Sequence, residues 1–596
     1  MKIRSEIILG SLLIMMQAVT AKGQSFSRDL QVSLLTNQVG YTTAAPKTCV
    51  TKGNVNRPFR VVDVLTQKVV FEGTMKTRPG DFGDYLVGDF SKLNKEGRFY
   101  LTSDTLRSYP FEIRRDPYHN AMDLIVHYFA LQRCGASTTG YLSPCHLDDG
   151  KRVDTGKHQD VTGGWHDASD LRKWVGATIY GMVGLAKAYE FEKDETKRMK
   201  ILDELMWGNG YFLKMQEPKG YLMDFIGGEI KQAGDSNRWT DNQIGQEEGE
   251  PHLQSPGSGK SSLKVMVMGS EDDRVIQTRP SDMISQYHFI VADAFLSRVT
   301  RPGNKEYAQK CLVAAERCFD WCVNAKTNPS PTELGASILA ALELYKTTKS
   351  EKYKLYAVNQ AGLLKKLQVT AGGDTLSGFF RVSSKKEEPY KNIWNGCLEL
   401  ISVCDLITAF PSHRDVPAWK ETVVSYSRQY LAVMAGRNSF SIVPFGLYAP
   451  GEQDPGGSRK IGNYWYRYFM FPEKWWVGIN ANIASSGIGM AKAAKILKDP
   501  ELQLLAQRQL DWIVGANPFN SSTIVGVGYN QPKPYINSNE FKPATPLLPG
   551  AVMNGLGGDK DDHPVQGSGN YNISEYWTPM VAYTLWLMTE LSGDRQ

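Results

Sequence analysis

Asp160-Val161-Thr162-Gly163-Gly164-Trp165-His166-Asp167-Ala168-Ser169-Asp170-Leu171-Arg172-Lys173-Trp174 is the stretch on which the reading of this chain turns. It gathers carboxylates, a histidine and two tryptophans about a Gly-Gly turn. A glycine pair allows backbone angles that side chains forbid, and aspartates this close together are costly to bury without a use. The stretch therefore reads as half of a catalytic site. A plainer reading stays open, because Asp-Ala-Ser-Asp ahead of an apolar helix is also what a helix N-cap looks like.

Outward from this stretch the texture is helical. After Asp116-Pro117, apolar residues recur at helical period in about twelve segments, near 117–133, 171–192, 195–216, 281–300, 304–325, 331–349, 350–368, 389–410, 417–436, 480–499, 500–516 and 575–592. Six helical hairpins of this kind close into an (α/α)6 barrel, and no fixed-period repeat points to an open solenoid. Before Asp116 the pattern is different. Short β-branched and aromatic runs at Phe59–Val64, Lys68–Gly73 and Gly97–Thr102, parted by turn residues, predict a small all-β sandwich. The expected organisation is a signal peptide over 1–23, a sandwich over 30–115 and an all-α barrel domain over 116–596.

Composition narrows the function. A formal net charge of +5 in 596 residues, with no long basic run, excludes a nucleic-acid or membrane-surface protein as the natural reading. At the N-terminus, Lys2 and Arg4 precede an apolar run from Ile7 to Val19, with small residues for cleavage at Val19-Thr20-Ala21 or Ala21-Lys22-Gly23. Export to the periplasm or the extracellular space is expected. The run is short for a bilayer and no second one follows, so no membrane span is expected.

Eight cysteines are too few for a disulfide scaffold in a chain this long. Cys311, Cys318 and Cys322, and again Cys397 and Cys404, fall at helical spacing and read as buried thiols, while Cys49 falls in a strand. Cys134 and Cys145 differ. With His146 and His166 they make two thiolates and two imidazoles, enough for a closed tetrahedral zinc shell. A disulfide between Cys134 and Cys145 is equally open on this chemistry.

Three connections, 217–280, 437–479 and 517–574, are too long for plain turns. They carry Trp239, Tyr464, Trp465, Tyr466, Trp475 and Trp476, whose rings either stack on sugar faces or pack under their own loops. Asp241 and Asn242, and the run Gly269-Ser270-Glu271-Asp272-Asp273-Arg274, are oxygen-rich enough to hold calcium or simply to be solvated. His252, His288 and His563 have no partner at a useful spacing.

Several phrases together carry a resemblance. Thr36-Asn37-Gln38-Val39-Gly40-Tyr41, Asp89-Phe90-Ser91-Lys92-Leu93, Arg133-Cys134-Gly135, Cys145-His146, Gly163-Gly164-Trp165-His166-Asp167-Ala168, Gly515-Ala516-Asn517-Pro518 and Pro549-Gly550 resemble family 9 glycoside hydrolases with an N-terminal immunoglobulin-like domain. The likeness spans nearly the whole chain after residue 30. It implies an (α/α)6 barrel behind an immunoglobulin-like sandwich, and structural zinc on Cys134, Cys145, His146 and His166. It also implies inverting hydrolysis of a β-linked polysaccharide, with Asp170 as base, Asp167 helping to hold the water and Glu575 as acid. The carboxyl separation expected for inversion is roughly 6.5–9.5 Å.

The family writes its aspartate pair Asp-Ala-Gly-Asp, so Ser169 in Asp167-Ala168-Ser169-Asp170 is a mild departure that bears on the turn geometry more than on the roles. Two further departures stand out. The family places its acid eight residues before the proline matching Pro579, where this chain has Tyr571, while Glu575 stands four before it. One helical turn, about 6 Å, separates the two positions. An ordinary first-turn acid, favoured by the helix dipole, is the plainer reading of Glu575. Cellulase members also carry a Pro-His-His-Arg element where this chain has Pro534-Tyr535-Ile536-Asn537. Tyr535, Trp239 and Trp475 are the expected substrate contacts, and a decorated or non-glucose β-glycan gains ground over plain cellulose. A catalytically weakened glycan-binding protein on the same fold is the alternative. A polysaccharide lyase fits the Asp pair poorly. The oligomeric state is not legible.

Overall fold

The computed structural model describes residues 31–141, 145–147, 149–169, 172–227, 274–325, 327–370, 376–384, 386–391, 395, 397–450, 452, 459–470, 477–533, 535, 547–567 and 571–592. The expected signal segment lies outside them. No helix among them is long and apolar enough to cross a membrane.

Nine strands form the N-terminal module: β1 Gln31–Val32, β2 Gly40–Tyr41, β3 Thr48–Lys52, β4 Arg57–Asp63, β5 Val69–Thr77, β6 Tyr85–Asp89, β7 Gly97–Ser103, β8 Leu106–Arg107 and β9 Phe111–Ile113. Most of β5 pairs antiparallel with β4, but its last residues, Lys76 and Thr77, pair with β6, so the strand carries the ladder from one layer to the other. Between the layers Cys49, Phe59, Met75, Leu86, Phe90, Phe99, Leu101 and Phe111 make a core of their own. Alternation along β7, where Phe99, Leu101 and Ser103 point inward, is the half-buried pattern the sequence shows.

The barrel helices are α1 His119–Leu131, α2 Val175–Phe191, α3 Glu195–Met215, α4 Met283–Thr300, α5 Lys305–Asn324, α6 Pro331–Thr348, α7 Glu351–Leu367, α8 Leu398–Ala409, α9 Val416–Val424, α10 Val433–Ala435, α11 Asn480–Leu497, α12 Pro500–Ile513, the single turn α13 Tyr571–Ser574, and α14 Thr578–Leu591. Helices α2, α4, α6, α8, α11 and α14 pack in that cyclic order, the last closing on the first. Outside each runs a partner: α3 on α2, α5 on α4, α7 on α6, α9 on α8, α12 on α11 and α1 on α14. This is the (α/α)6 barrel expected. Inner helices are buried all round, as along α2 and α14, whereas outer ones bury one stripe; α5 does so with Ala308, Cys311, Ala315, Cys318 and Cys322.

Some expected boundaries are corrected. Lys386–Pro389 is a strand paired with Arg381–Ser383 rather than the start of a helix, and α8 begins only at Leu398. Backbone groups of Lys173 and Trp174 pair with Ile226 and Phe225 in a short sheet, which delays α2 to Val175. Between α9 and α10 the chain runs through a π-helical segment, Ser425–Ala432. The connections expected to lack regular structure contain strands, among them Met223–Gly227 paired with Val275–Pro280, and Gly446–Tyr448 paired with Tyr464–Arg467.

The two modules are bolted together. Asn37 donates to Asp511 Oδ1 at 3.0 Å, and Gln38 Nε2 donates to the Asn520 carbonyl at 2.9 Å while its Oε1 accepts the Tyr529 N–H at 2.6 Å. Tyr109 stacks on Tyr529 with ring centres 4.5 Å apart. Gly40 in the same phrase has a φ of +137°, and a Cβ there would stand 2.0 Å from the Glu112 carbonyl oxygen, so only glycine fits.

Candidate active site and metal centre

The Gly-Gly stretch folds back on the end of α1. Cys134 donates its N–H to the Gly164 carbonyl at 2.9 Å, and His166 donates to the Gln132 carbonyl at 2.9 Å. Gly135 and Cys145 exchange both backbone bonds. Gly163 and Gly164 have φ of +91° and +74°, and a Cβ on Gly164 would stand 2.7 Å from the Tyr211 Cβ and 2.9 Å from its ring. Trp165 is buried against Phe129, its indole N–H donating to Glu204 at 2.6 Å, and Arg133 grips the same carboxylate with two nitrogens.

This ladder brings the four expected ligands together. Cys134, Cys145, His146 and His166 are all buried, with one ligand atom of each within 4.8 Å of the others. Cys134 Sγ lies 3.4 Å from His146 Nδ1, and Cys145 Sγ lies 3.6 Å from His166 Nε2. Ligands at zinc–sulfur and zinc–nitrogen lengths on a tetrahedral ion would stand about 3.6 Å apart. Both thiols are free, so the alternative disulfide is not formed. Burial works against ionising Cys134, but the Cys145 hydrogen bond and the Lys173 ammonium hold its thiol well below the usual range; Cys145, bonded to that sulfur and itself buried, is pushed up. Burial and the nearby Arg274 charge lower His146 to about 4, leaving its ring neutral. One thiolate and a neutral imidazole are donors that suit a soft or borderline cation.

Little in the sequence marks the cations behind this loop. Lys173, fully buried, donates to the Val161 and Gly163 carbonyls at 2.8 and 3.1 Å and pairs with Asp149 at 2.8 Å. Arg274 takes the same Asp149 through both its Nε and its terminal nitrogen. The positions of Lys173 and Arg274 beside acidic stretches are their only trace in the sequence.

Asp167 is buried, and its N–H donates to the Arg172 carbonyl at 2.9 Å. α2 begins at Val175 with Trp174 as its cap, so the N-cap reading of the aspartates does not hold. Asp170, the expected base, lies outside the described residues, as do Trp239, Trp475 and the expected calcium ligands from Asp241 to Asp273.

Glu575 comes from the far end of the chain, in the break between α13 and α14, and is buried against the Asp loop. Its Oε1 accepts the Ser169 N–H at 3.3 Å and the Ser169 hydroxyl; its Oε2 accepts the Trp577 indole N–H at 2.8 Å. The N-terminus of α14 is tied to the same loop, Thr578 donating its N–H and hydroxyl to the Asp167 carbonyl at 3.2 and 3.1 Å. Glu575 is thus outside the first turn of α14, and the helix-dipole reading does not describe it. Tyr571 is 46% exposed, with its ring 6.1 Å from that of Tyr535. Tyr535 donates its N–H to the Ser574 carbonyl at 3.3 Å, one residue from Glu575.

The family model of glycosyl hydrolase family 9 matches residues 118–588, and that of the cellulase N-terminal ig-like domain matches residues 31–108. Endoglucanase D of Acetivibrio thermocellus is 24% identical over 542 residues, covering 84% of this chain and 74% of its own. A metagenome-derived glycoside hydrolase family 9 endoglucanase superposes with a TM-score of 0.65 at 21% identity, over 94% of this chain and 98% of that one. A zinc-binding triple mutant of the family 9 endoglucanase J30 superposes with a TM-score of 0.59 at 19% identity, over 93% and 100%. The protein is a glycoside hydrolase. It belongs to glycosyl hydrolase family 9, with the immunoglobulin-like module in front of the barrel.

Proposed function

We propose that the protein is an inverting hydrolase of a β-linked glucan or a related decorated β-glycan. Asp170 takes a proton from the attacking water, Asp167 accepts that water's other hydrogen, and Glu575 protonates the departing glycosidic oxygen. Water oxygen then bonds to the anomeric carbon from the face opposite the leaving group. One observation supports this reading: Glu575, 406 residues away in sequence, accepts the N–H of Ser169, two residues after Asp167. The related endoglucanases favour a β-glucan backbone. Pro534-Tyr535-Ile536-Asn537 in place of a His-His-Arg grip favours side-chain-bearing or non-glucose sugars, with Tyr535 as a contact next to the acid.

Zinc fits Cys134, Cys145, His146 and His166, all four positions being protein donors, so the ion would clamp the loop rather than touch substrate. The apolar run from Ile7 to Val19 supports export; a purified native protein still starting at Met1 overturns that part.

Reducing-end release across glucans, xyloglucan, mannans and amino-sugar polymers tests the activity. Asp170→Asn and Glu575→Gln are each expected to lower kcat on the best substrate by about 10²-fold or more. Hydrolysis unchanged in either variant removes that residue's role, and saturable binding with no product from any polymer removes the enzymatic reading.

A further inference from the structure

Ser169 stands where the family phrase has glycine, and its side chain is buried. A serine here adds one group a glycine lacks, a hydroxyl, and the fold directs it onto Glu575 Oε1. The three donors around that carboxylate are unequal. The Ser169 N–H and the Trp577 indole N–H can only donate, so both favour the ionised acid. The Ser169 hydroxyl can rotate, donating to a carboxylate or accepting from a carboxylic acid.

We infer that Ser169 is a positioning residue for Glu575: its hydroxyl fixes the carboxyl orientation in both protonation states and sets the pH at which the acid loses its proton. This rests on Glu575 being the acid. The surroundings are compatible with it. Among the described residues the titratable groups near the carboxyl are Asp167 on the same loop, Tyr128 of α1 and Tyr576. Burial raises the Tyr128 phenol, and the Asp167 and Glu575 charges raise it further, so it stays neutral. Tyr576 meets the Tyr128 ring edge-on at 5.6 Å. Arg172, whose carbonyl accepts the Asp167 N–H, has its side chain against Gly227. A general acid must still hold its proton at working pH, and its loss defines the alkaline limb of the activity profile. Donation from the Ser169 hydroxyl to the anion formed when Glu575 loses its proton stabilises that form, so the limb lies lower than a glycine would set it.

The test is the pH profile of kcat/KM for wild type, Ser169→Gly, Ser169→Ala, Ser169→Thr and Glu575→Gln on the best polymer from the panel above. Removing the hydroxyl is expected to move the alkaline limb up by roughly 0.5–1 pH unit with KM changed less than about twofold. Ser169→Thr, which keeps the hydroxyl, is expected to restore the wild-type limb. A limb that stays put in both the Gly and Ala variants, while Glu575→Gln is inactive, overturns the role of Ser169 and leaves Glu575 as acid. Full activity with an intact bell in Glu575→Gln overturns both. A limb displaced equally in all three Ser169 variants shows a steric rather than a hydroxyl effect and also overturns the proposal.

Discussion

Lys173 is the residue from which the Gly163-Gly164 turn hangs. Asp149 is shared by two buried cations, Lys173 and Arg274, so the trio carries a net positive charge beside the Cys134 thiolate. Breaking a buried pair strands a charge, which is why such groups hold loops in one place even where they add little net stability. The four candidate metal ligands depend on the same loop. Chelation, or Cys134→Ser, is expected to destabilise the protein by more than about 3 kcal/mol and to lower activity with it, with about one zinc per chain in the untreated protein by elemental analysis. Fully active protein without metal, or an oxidised Cys134–Cys145 pair in the native enzyme, contradicts the site. In the sequence Ser169 is visible only as a departure from the family's glycine and Lys173 is not marked at all, for one reason: each acquires its partner, Glu575 or Asp149, only when another segment arrives.

Among the elements, α8 carries a buried acid into the inner ring. Glu399 accepts from the Tyr426 hydroxyl at 2.8 Å and the Thr332 hydroxyl at 3.2 Å, and burial raises its carboxyl to about 7. A carboxyl raised on folding is protonated in the native state where the unfolded chain is ionised. Its stability contribution is full below about 4.5 and is lost as pH rises to about 7. Glu399→Gln keeps the acceptor without the titration. The variant is expected to flatten the fall in stability between those values and to gain on the order of 2 kcal/mol at pH 8, measured by denaturant unfolding. An unchanged pH slope refutes the assignment. The helical stretches themselves were legible, because twelve of them repeat the 3.6-residue period. The strands inside the long connections were not, since pairs such as Lys173 with Ile226 join residues far apart in sequence and leave no local period.

At the scale of the whole molecule, the immunoglobulin-like module grips the barrel domain at Asn520 and Tyr529. Gln38 holds the Asn520 and Tyr529 backbones, and a Cβ on Gly515 would strike its side chain at 2.3 Å. Gln38→Ala removes the acceptor of the Tyr529 N–H and one donor of the Asn520 carbonyl, which keeps the Asn530 side chain, and is expected to cost about 1–3 kcal/mol. It should also part the unfolding of sandwich and barrel into two calorimetric transitions, and a single transition of unchanged midpoint would show that the contact is not the joint.

By itself the sequence determined the two modules and the sixfold helical hairpin count, which are written in local periodicity. The grouping of Cys134, Cys145, His146 and His166 and the roles in the Asp stretch were legible only through the family resemblance, since residue chemistry alone left a disulfide and an N-cap open. Only tertiary structure decided that the ring closes from α14 onto α2, that Asp149, Lys173 and Arg274 meet behind the turn, and that Glu575 comes to rest on Ser169. These are contacts between residues tens to hundreds of positions apart, fixed by how the helices pack and not by any property of the segments taken singly.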